Sequence, residues 1–259
     1  MGERTKYTPG TFCWTDLSTT DQDAAKKFYM SLFGWEVTDQ PVGDGMVYSM
    51  MSIGGKPVAA ISTQPQQQRD AGVPPVWNSY VSVESADDAV ARATELGGSA
   101  HAPAFDVLDV GRMGVLQDPQ GAWFLVWEPK AHIGAGLVNA PGALAWNELA
   151  TKDMDGAANF YTQLFGWTTE PVEGMDMPYT TIKNKEGHNN GGIRPAQGPE
   201  PNYWLNYFGV DDCDATYAKV AELGGNQLMG PMEIGVGKFA IAQDGQGAVF
   251  ALFAGEFEP

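Results

Sequence analysis

Hydrophobic residues follow two different spacings between residues 12 and 35, and each spacing predicts one kind of element. Phe12 and Trp14 are apolar at alternate positions, as in a strand with one buried face. The following apolar residues recur at three- and four-residue intervals, the spacing of one helix face: Ala25, Phe28, Tyr29, Leu32 and Phe33. Asp21 suits the helix N-cap and Gly34 a left-handed C-cap. The stretch therefore predicts a strand, a helix and a second strand after Trp35.

The same pattern occurs a second time between residues 144 and 167. Identical residues align one repeat apart, among them Trp14 with Trp146 and Tyr29 with Tyr161. A second internal repeat relates residues 77–98 to 204–225, and both of these stretches end in Glu-Leu-Gly-Gly. Repetition on this scale indicates duplicated units, and their predicted elements give four βαβββ modules.

Four such modules predict an α+β fold of two tandem domains, each with a cupped mixed β-sheet and flanking helices. The first domain is expected at residues 1–130, a glycine-rich linker at 131–142 and the second domain at 143–259. A Pro- and Gln-rich stretch at 63–75 predicts a loop, and Asp118-Pro-Gln-Gly predicts a tight turn. Two related domains in one chain can pair as an intramolecular pseudo-dimer, which is compatible with a monomer in solution.

The composition argues against several classes of partner. Lys and Arg total 15 against 32 Asp and Glu, and the formal charge of −17 opposes binding to nucleic acids and to anionic membranes. No apolar run is long enough to span a membrane, and the first residues lack the apolar segment of a secretory signal. We therefore expect a cytoplasmic protein. The two cysteines, Cys13 and Cys213, form neither a disulfide framework nor a zinc motif.

The tandem modules, the helix that runs from Asp21 through Phe28-Tyr29 and the turn at Asp118 together resemble the vicinal oxygen chelate superfamily. This superfamily includes glyoxalases, bleomycin-resistance proteins and extradiol dioxygenases. The two-domain layout is similar to its tandem glyoxalase-like or hydroxylase-like branch. The resemblance covers almost the whole chain and implies the fold, whereas the reaction stays open because one fold can carry many functions.

Metal-using members of that superfamily place a His or Gln on the first strand, a His on the fifth and a Glu on the eighth. The resemblance puts these positions at Trp14, Asn78 and Leu125 in the first domain and at Trp146, Leu205 and Ala251 in the second. Neither set is a competent set of ligands, because Trp, Leu and Ala offer no lone pair to a metal. The three histidines, His101, His132 and His188, are not paired at ligand spacing. We therefore predict no metal at these positions and no cofactor.

Residues two apart on a strand share a face, so the neighbours of these positions should line the two cups. The expected linings are Trp14, Asp16, Asn78, Tyr80, Leu125 and Trp127 in the first domain, and Trp146, Glu148, Leu205, Tyr207, Ala251 and Phe253 in the second. Each cup is aromatic with one carboxylate, which suits a planar organic ligand, although side chains that merely fill the cup would give the same composition. Arg112 and Lys238 are the expected charge partners of the carboxylates. Ala251, in place of Leu125, should give the second cup the roomier floor.

Three functions are consistent with these residues. The first is binding of an aromatic or hydrophobic small molecule, in a sequestration, resistance or carrier role. The second is a lyase, isomerase or hydroxylase- or dioxygenase-like enzyme in which Asp16 or Glu148 acts as general acid or base. The third is an interaction protein whose cups are filled by side chains. The missing metal ligands and the aromatic linings favour the first.

Overall fold

The structure is a computed structural model that describes residues 2–43, 45–174 and 177–257. Over these residues the chain forms two large mixed sheets and five helices, which is the α+β architecture expected from the sequence. None of the helices in the described ranges is both long and apolar enough to cross a membrane.

The first sheet is built from modules one and two. Its elements are β1 (Gly2–Glu3), β2 (Phe12–Thr19), α1 (Gln22–Phe33), β3 (Glu36–Gly43), β4 (Met46–Ile53), β5 (Lys56–Thr63), α2 (Gln66–Asp70), β6 (Val76–Ser82), α3 (Ala86–Glu95), β7 (Ser99–Ala100), β8 (Phe105–Val107), β9 (Gly111–Gln117) and β10 (Trp123–Pro129). The strand order is β3-β4-β5-β2-β6-β10-β9-β7, with β8 beside β9, while β1 lies outside this sheet. β2 and β6 pair antiparallel at the centre, so the two modules share one continuous sheet.

The second sheet repeats this arrangement. Its elements, after β11 (Leu137–Val138) of the linker, are β12 (Leu144–Thr151), α4 (Met154–Phe165), β13 (Thr168–Pro171), β14 (Thr180–Lys183), β15 (Asn189–Pro195), β16 (Tyr203–Gly209), α5 (Cys213–Glu222), β17 (Asn226–Ile234), β18 (Gly237–Gln243) and β19 (Val249–Gly255). The order is β13-β14-β15-β12-β16-β19-β18-β17, which matches the first sheet strand for strand. β11 pairs with β1, so the linker and the N-terminal segment hold each other.

The predicted caps set the ends of the two long helices. The Asp21 carboxylate accepts the N–H of Ala24 at the start of α1, and Gly34 ends this helix with a φ of 73°. Asp153 and Gly166 do the same for α4, where the φ of the glycine is 69°. A Cβ is strained at such positive φ values, so glycine is the residue that these two ends require.

Two local expectations were wrong. The loop expected at residues 63–75 contains the five-residue helix α2. The alternation of Phe12 with Trp14 is broken by a register shift in β2, because a bulge adds one residue and reverses the faces that follow it. Phe12 therefore packs against Trp167 and Trp204 of the second domain, with ring centroids 5.5 and 4.9 Å away, while Trp14 lines the cup of the first domain.

Each long helix packs between its own sheet and the other domain. Phe28, Tyr29 and Leu32 of α1 share a core with Phe208 and Phe250 of the second sheet. In the mirrored core, α4 packs on strands and a helix of module two through side chains that include Phe160 and Tyr161 of α4 and Val81, Leu116 and Phe124 of module two. The repeated aromatic residues therefore build the interface of an intramolecular pseudo-dimer as well as the core of each domain.

A tyrosine in each helix carries a hydrogen-bond chain across this interface. Trp77 Nε1 donates to the Tyr29 hydroxyl at 2.9 Å, and this hydroxyl donates to Asp244 at 3.1 Å. The second chain runs from Trp204 Nε1 to the Tyr161 hydroxyl at 2.9 Å and on to Asp118 at 3.0 Å. Asp118 and Asp244 also accept backbone N–H groups of their own turns. A turn in one domain thus anchors the helix of the other.

We predict that Tyr29→Phe and Tyr161→Phe lower the free energy of unfolding by similar amounts. Each change removes a donor from a buried carboxylate, which costs about 1–3 kcal/mol. Urea denaturation of the two variants measures the loss, and the exposed Gln163→Ala on α4 is the control, with an effect within about 0.5 kcal/mol. Unequal losses at the two tyrosines, or losses no larger than that of the control, would contradict the reciprocal anchoring.

Candidate functional site

The residues expected to line the cups meet in two separate clusters. Trp14, Tyr80, Leu125 and Trp127 form the apolar part of cup one, the concave side of the first sheet. Cup two, on the second sheet, is formed by Leu205, Tyr207 and Ala251 together with the partly buried side chains of Trp146, Tyr203, Phe239, Val249 and Phe253. Strand register explains the grouping, since Trp14 pairs with Tyr80 in the first sheet and Trp146 with Tyr207 in the second.

Cup one holds the carboxylate of Asp16 among neutral donors. Asn78 Nδ2 donates to Oδ1 at 2.8 Å, and the hydroxyls of Tyr48 and Tyr80 donate to Oδ2 at 3.0 and 2.8 Å. Asp16 is 6% exposed, and no lysine or arginine in the part of the chain that the structure describes forms an ion pair with it. Burial raises the pKa of Asp16 above its ordinary value, and the three donors oppose that rise.

Cup two holds Glu148 in a charged cluster. Glu148 Oε1 accepts from Arg194 Nε at 2.7 Å and from the Tyr207 hydroxyl at 3.0 Å. The remaining guanidinium nitrogens, Nη1 and Nη2, donate to Glu200 at 2.8 and 2.6 Å, and the Tyr203 hydroxyl also donates to Glu200. The two carboxylates therefore face different electrostatic environments, with a cation present only beside Glu148 among the described residues.

The expected charge partners of Asp16 and Glu148 were wrong. Arg112 bonds to Asp87 at 2.8 Å, and Lys238 bonds to Asp214 at 2.6 Å. Both acids lie in the first turn of a helix, α3 and α5 respectively, close to the strands that carry Arg112 and Lys238. These exposed pairs satisfy the two cations outside the cups.

Arg194 is a site residue that the sequence reasoning missed. β12 and β15 run parallel with Glu148 opposite Gly192, so Arg194 lies on the same face two residues further along. The corresponding residue in the first domain is Ser62, because Asp16 is opposite Ala60. If β12 and β15 are paired in the same register as β2 and β5, Arg194 falls on the face that carries Glu148.

A tyrosine beside each first-strand tryptophan was missed as well. Trp14 Nε1 donates to the Tyr48 hydroxyl at 3.0 Å, and Trp146 Nε1 donates to the Tyr179 hydroxyl at 2.9 Å. Burial raises the pKa of both phenols well above the usual value, and the neighbouring carboxylate raises it further. Both phenols therefore stay protonated and can connect the indole to the carboxylate.

The two cups differ in how they are covered. In cup one the linker passes over the sheet, and the ring of His132 lies 4.7 Å from Trp14 and 5.8 Å from Trp127, centroid to centroid. The His132 carbonyl accepts the Trp127 Nε1–H at 2.8 Å. Trp14 and Trp127 are consequently only 3% and 6% exposed, whereas Trp146 and Phe253, at the same positions of cup two, are half-buried. Cup one is closed by its own chain, whereas cup two keeps part of its aromatic surface exposed, with the ring of Phe257 lying 5.8 Å from that of Phe253.

The floor of cup two carries a smaller side chain than the floor of cup one. Ala251 lies between Tyr207 and Ile241, its partners on the neighbouring strands. In cup one the same place between Tyr80 and Val115 is taken by Leu125. Ala251 is shorter than Leu125 but is itself fully buried, so the roomier second floor stays a prediction.

The positions that hold a metal in the superfamily do not offer a ligand set here. The Trp14 indole and the Asn78 amide are donors in hydrogen bonds, and Leu205 and Ala251 are buried hydrocarbon side chains. Within residues 2–43, 45–174 and 177–257, no three His, Cys, Asp or Glu side chains come close enough together to hold an ion. The side chains present at these positions do not fit a divalent metal.

A cleft of about 270 Å³ lies outside both cups, between α3 and the C-terminal end of α4. Its walls combine two acids, Glu84 and Asp88, with two cations, Arg92 and Lys185. Phe165 is the one aromatic residue among the residues that line it.

His132 predicts a pH dependence of stability. Burial lowers the pKa of this imidazole to about 4, and its Nε2 is buried without a hydrogen-bond partner. The unfolded chain binds a proton on this residue as the pH falls through about 6.5, whereas the folded chain does so only near pH 4. The free energy of unfolding should therefore fall between pH 7 and pH 5, by roughly 1 kcal/mol after allowance for partial exposure, and level off below pH 4.

Chemical denaturation at pH 7 and pH 5 measures this effect in the wild type and in His132→Gln. The variant should lose most of the difference between the two pH values. His188→Gln, in the hairpin between β14 and β15, is the matched control and should keep that difference. Equal pH dependence in His132→Gln and the wild type would refute the assignment.

Comparisons with known proteins agree with this architecture. The sequence profile of the Glyoxalase/Bleomycin resistance protein/Dioxygenase superfamily matches residues 11–126 and 143–252. The Mycobacterium tuberculosis protein CFP32, whose name marks it provisionally as a glyoxylase, is 45% identical over 97% of each chain. The anthracycline biosynthesis protein DnrV of Streptomyces peucetius is 33% identical over 96% of this chain and 94% of its own.

Solved structures share the fold at low sequence identity. The Mn(II)-bound glyoxalase from Novosphingobium aromaticivorans superposes with a TM-score of 0.67 at 17% identity, over 100% of this chain and 84% of that protein. The 2,2',3-trihydroxybiphenyl 1,2-dioxygenase of Sphingomonas wittichii gives a TM-score of 0.65 at 13% identity, over 96% and 92%. These two likenesses concern the fold alone.

Proposed function

The chain belongs to the Glyoxalase/Bleomycin resistance protein/Dioxygenase superfamily, and within it we propose a protein that lacks the usual metal ligands and binds a planar aromatic small molecule in cup two. The binding serves sequestration, resistance or transport of that molecule. The half-buried Trp146 and Phe253 carry this proposal, because their counterparts in cup one are covered by the linker. Aromatic faces that stay partly exposed offer a surface on which a flat apolar molecule can stack.

Two relatives support the choice of ligand class. DauV and DnrV are named as anthracycline biosynthesis proteins, and each is 33% identical to this chain over 96% of its length. We take from them a polycyclic aromatic compound as the kind of ligand to test. We also propose that the protein is cytoplasmic and monomeric.

Ala251→Leu should weaken aromatic binding to cup two by at least about tenfold. The substitution places at the floor of cup two the side chain that domain one already carries at Leu125, and overpacking of this size costs about 1–3 kcal/mol. The measurement is titration of tryptophan fluorescence with anthracene-9-methanol, a neutral tricyclic probe, supported by calorimetry.

Leu125→Val is the matched control, since it shortens the floor of the covered cup. It should leave the Kd for the probe within about twofold while it lowers stability by about 1 kcal/mol. Thermal melts of both variants establish that binding is measured on folded protein. If the wild type bound the probe saturably and Ala251→Leu bound it equally well, the binding site would lie outside cup two. If no polycyclic probe quenched or shifted the wild-type signal, the binding proposal itself would fail.

The raised pKa of Asp16 favours a second candidate, an enzyme in which this carboxyl acts as general acid or base. The provisional glyoxylase name of CFP32 also points to catalysis. Glu148 is less suited to proton transfer, because Arg194 holds it in an ion pair at 2.7 Å. The enzyme would be a lyase, isomerase or oxidoreductase that works in cup one.

The Asp16→Asn variant separates the two candidates. For an enzyme, product formation from any compound found to be turned over should fall by at least about 100-fold, the size of a general acid or base contribution. For a binding protein, the Kd of the anthracene probe should stay within about twofold, because Asp16 lies in the covered cup. Mass spectrometry of reaction mixtures and fluorescence titration give the two readouts, with Glu148→Gln as the comparison in the other domain.

A further inference from the structure

The hydrogen-bond donors around cup two are already engaged by groups of the protein. Trp146 Nε1 donates to Tyr179. The hydroxyls of Tyr207 and Tyr203 donate to Glu148 and Glu200. Indole and phenol hydrogens, which would be the natural donors to an anionic ligand in an aromatic cup, are therefore directed away from a ligand.

Arg194 is the cation of the charged cluster beside cup two, and all three of its nitrogens are occupied. Nε bonds to Glu148, Nη1 to Glu200 and the Pro195 carbonyl, and Nη2 to Glu200, so that four of the five N–H groups are engaged. The side chain of Arg194 is 10% exposed, so the guanidinium is buried between the two carboxylates. An anion that entered the cup would have to compete with two carboxylates for this guanidinium.

The groups that remain available attract positive charge. Glu148, Glu200 and Arg194 together carry one net negative charge. The oxygens of Tyr179 and Tyr207 keep lone pairs, and the faces of Trp146, Phe239 and Phe253 are electron-rich. The formal charge of −17 on the whole chain acts in the same direction at longer range.

We propose that cup two selects planar aromatic molecules that carry a cationic group, such as an ammonium, and rejects those that carry a carboxylate or another anion. This inference rests on the proposed binding function and adds the charge of the ligand to it. An unpaired anion would lose its hydration without gaining a donor, whereas an ammonium would gain aromatic faces, phenolic oxygens and a net negative cluster.

Three probes of one shape test the proposal at pH 7. They are 9-(aminomethyl)anthracene as the cation, anthracene-9-methanol as the neutral compound and anthracene-9-carboxylate as the anion. Fluorescence titration and calorimetry should give the cation a Kd at least about tenfold lower than that of the anion, with the neutral compound between them. Equal affinities, or tighter binding of the anion, would overturn the selectivity while leaving the binding function standing. If none of the three bound, both proposals would fail.

Glu200→Gln tests the source of the selectivity. The change removes the net negative charge of the cluster and loosens the hold on Arg194. The ratio of the two Kd values, anion over cation, should therefore fall by about fivefold or more, chiefly through better binding of the anion. The ratio, not the affinity alone, is the readout, because a purely structural effect would weaken all three probes together.

Asp214→Asn is the matched control for charge. Asp214 is an exposed partner of Lys238 in the first turn of α5, so this variant removes one negative charge from the same domain without touching the cluster. Its ratio of Kd values should stay within about twofold of that of the wild type. If Asp214→Asn lowered the ratio as much as Glu200→Gln, the selectivity would come from overall charge, and the role assigned to the cluster would be wrong.

Discussion

The hydrogen bonds from Tyr29 to Asp244 and from Tyr161 to Asp118 are the contacts on which the arrangement of the two domains depends. Each joins the first helix of one domain to the last hairpin turn of the other. An Asp in a tight turn normally accepts hydrogen bonds only from the backbone N–H groups of that turn. Here one carboxylate oxygen does so, and the other accepts the tyrosine hydroxyl of the opposite domain. Because the carboxylates and hydroxyls are buried, a shift of one domain relative to the other would leave polar groups without partners. The interface is therefore apolar, and its hydrogen bonds also fix the relative position of the two domains.

This fixed interface also determines where the cups can open. The long helices α1 and α4 and their aromatic residues pack between the two sheets, so the opposite faces of the sheets are left to the N-terminal segment, the linker and a ligand. The linker folds back over the first sheet, where the N–H of Ala135 donates to the Cys13 carbonyl at 2.8 Å and the Tyr7 hydroxyl donates to Ala135. The linker thus occupies cup one, whereas Trp146 and Phe253 of cup two stay partly exposed.

Much of the fold could be predicted from the sequence because its signals are local. The helix caps at Asp21 and Gly34, the turn at Asp118 and the duplicated pattern each involve residues close together in the chain. The lining of the cups also followed from strand alternation. The partners of the buried carboxylates could not be obtained in this way, because Arg194 reaches Glu148 across a parallel strand pair whose register is set by a crossover. The bulge in β2 and the path of His132 are likewise consequences of tertiary packing, and they decide which aromatic residues a ligand can contact.

The covalent connection itself breaks the symmetry that duplication creates. Two separate copies would have identical cups, but a chain that joins them must run over one side of the assembly, and here the linker covers cup one. A covered cup no longer has to admit a ligand, so Leu125 can fill its floor and Asp16 can be held by neutral donors. The uncovered cup has Ala251 at that place, and its carboxylate is fixed by Arg194, which is itself held by Glu200. The hydrogen-bonded residues of the domain interface are the same in both repeats, whereas the floors of the cups and the partners of their carboxylates differ.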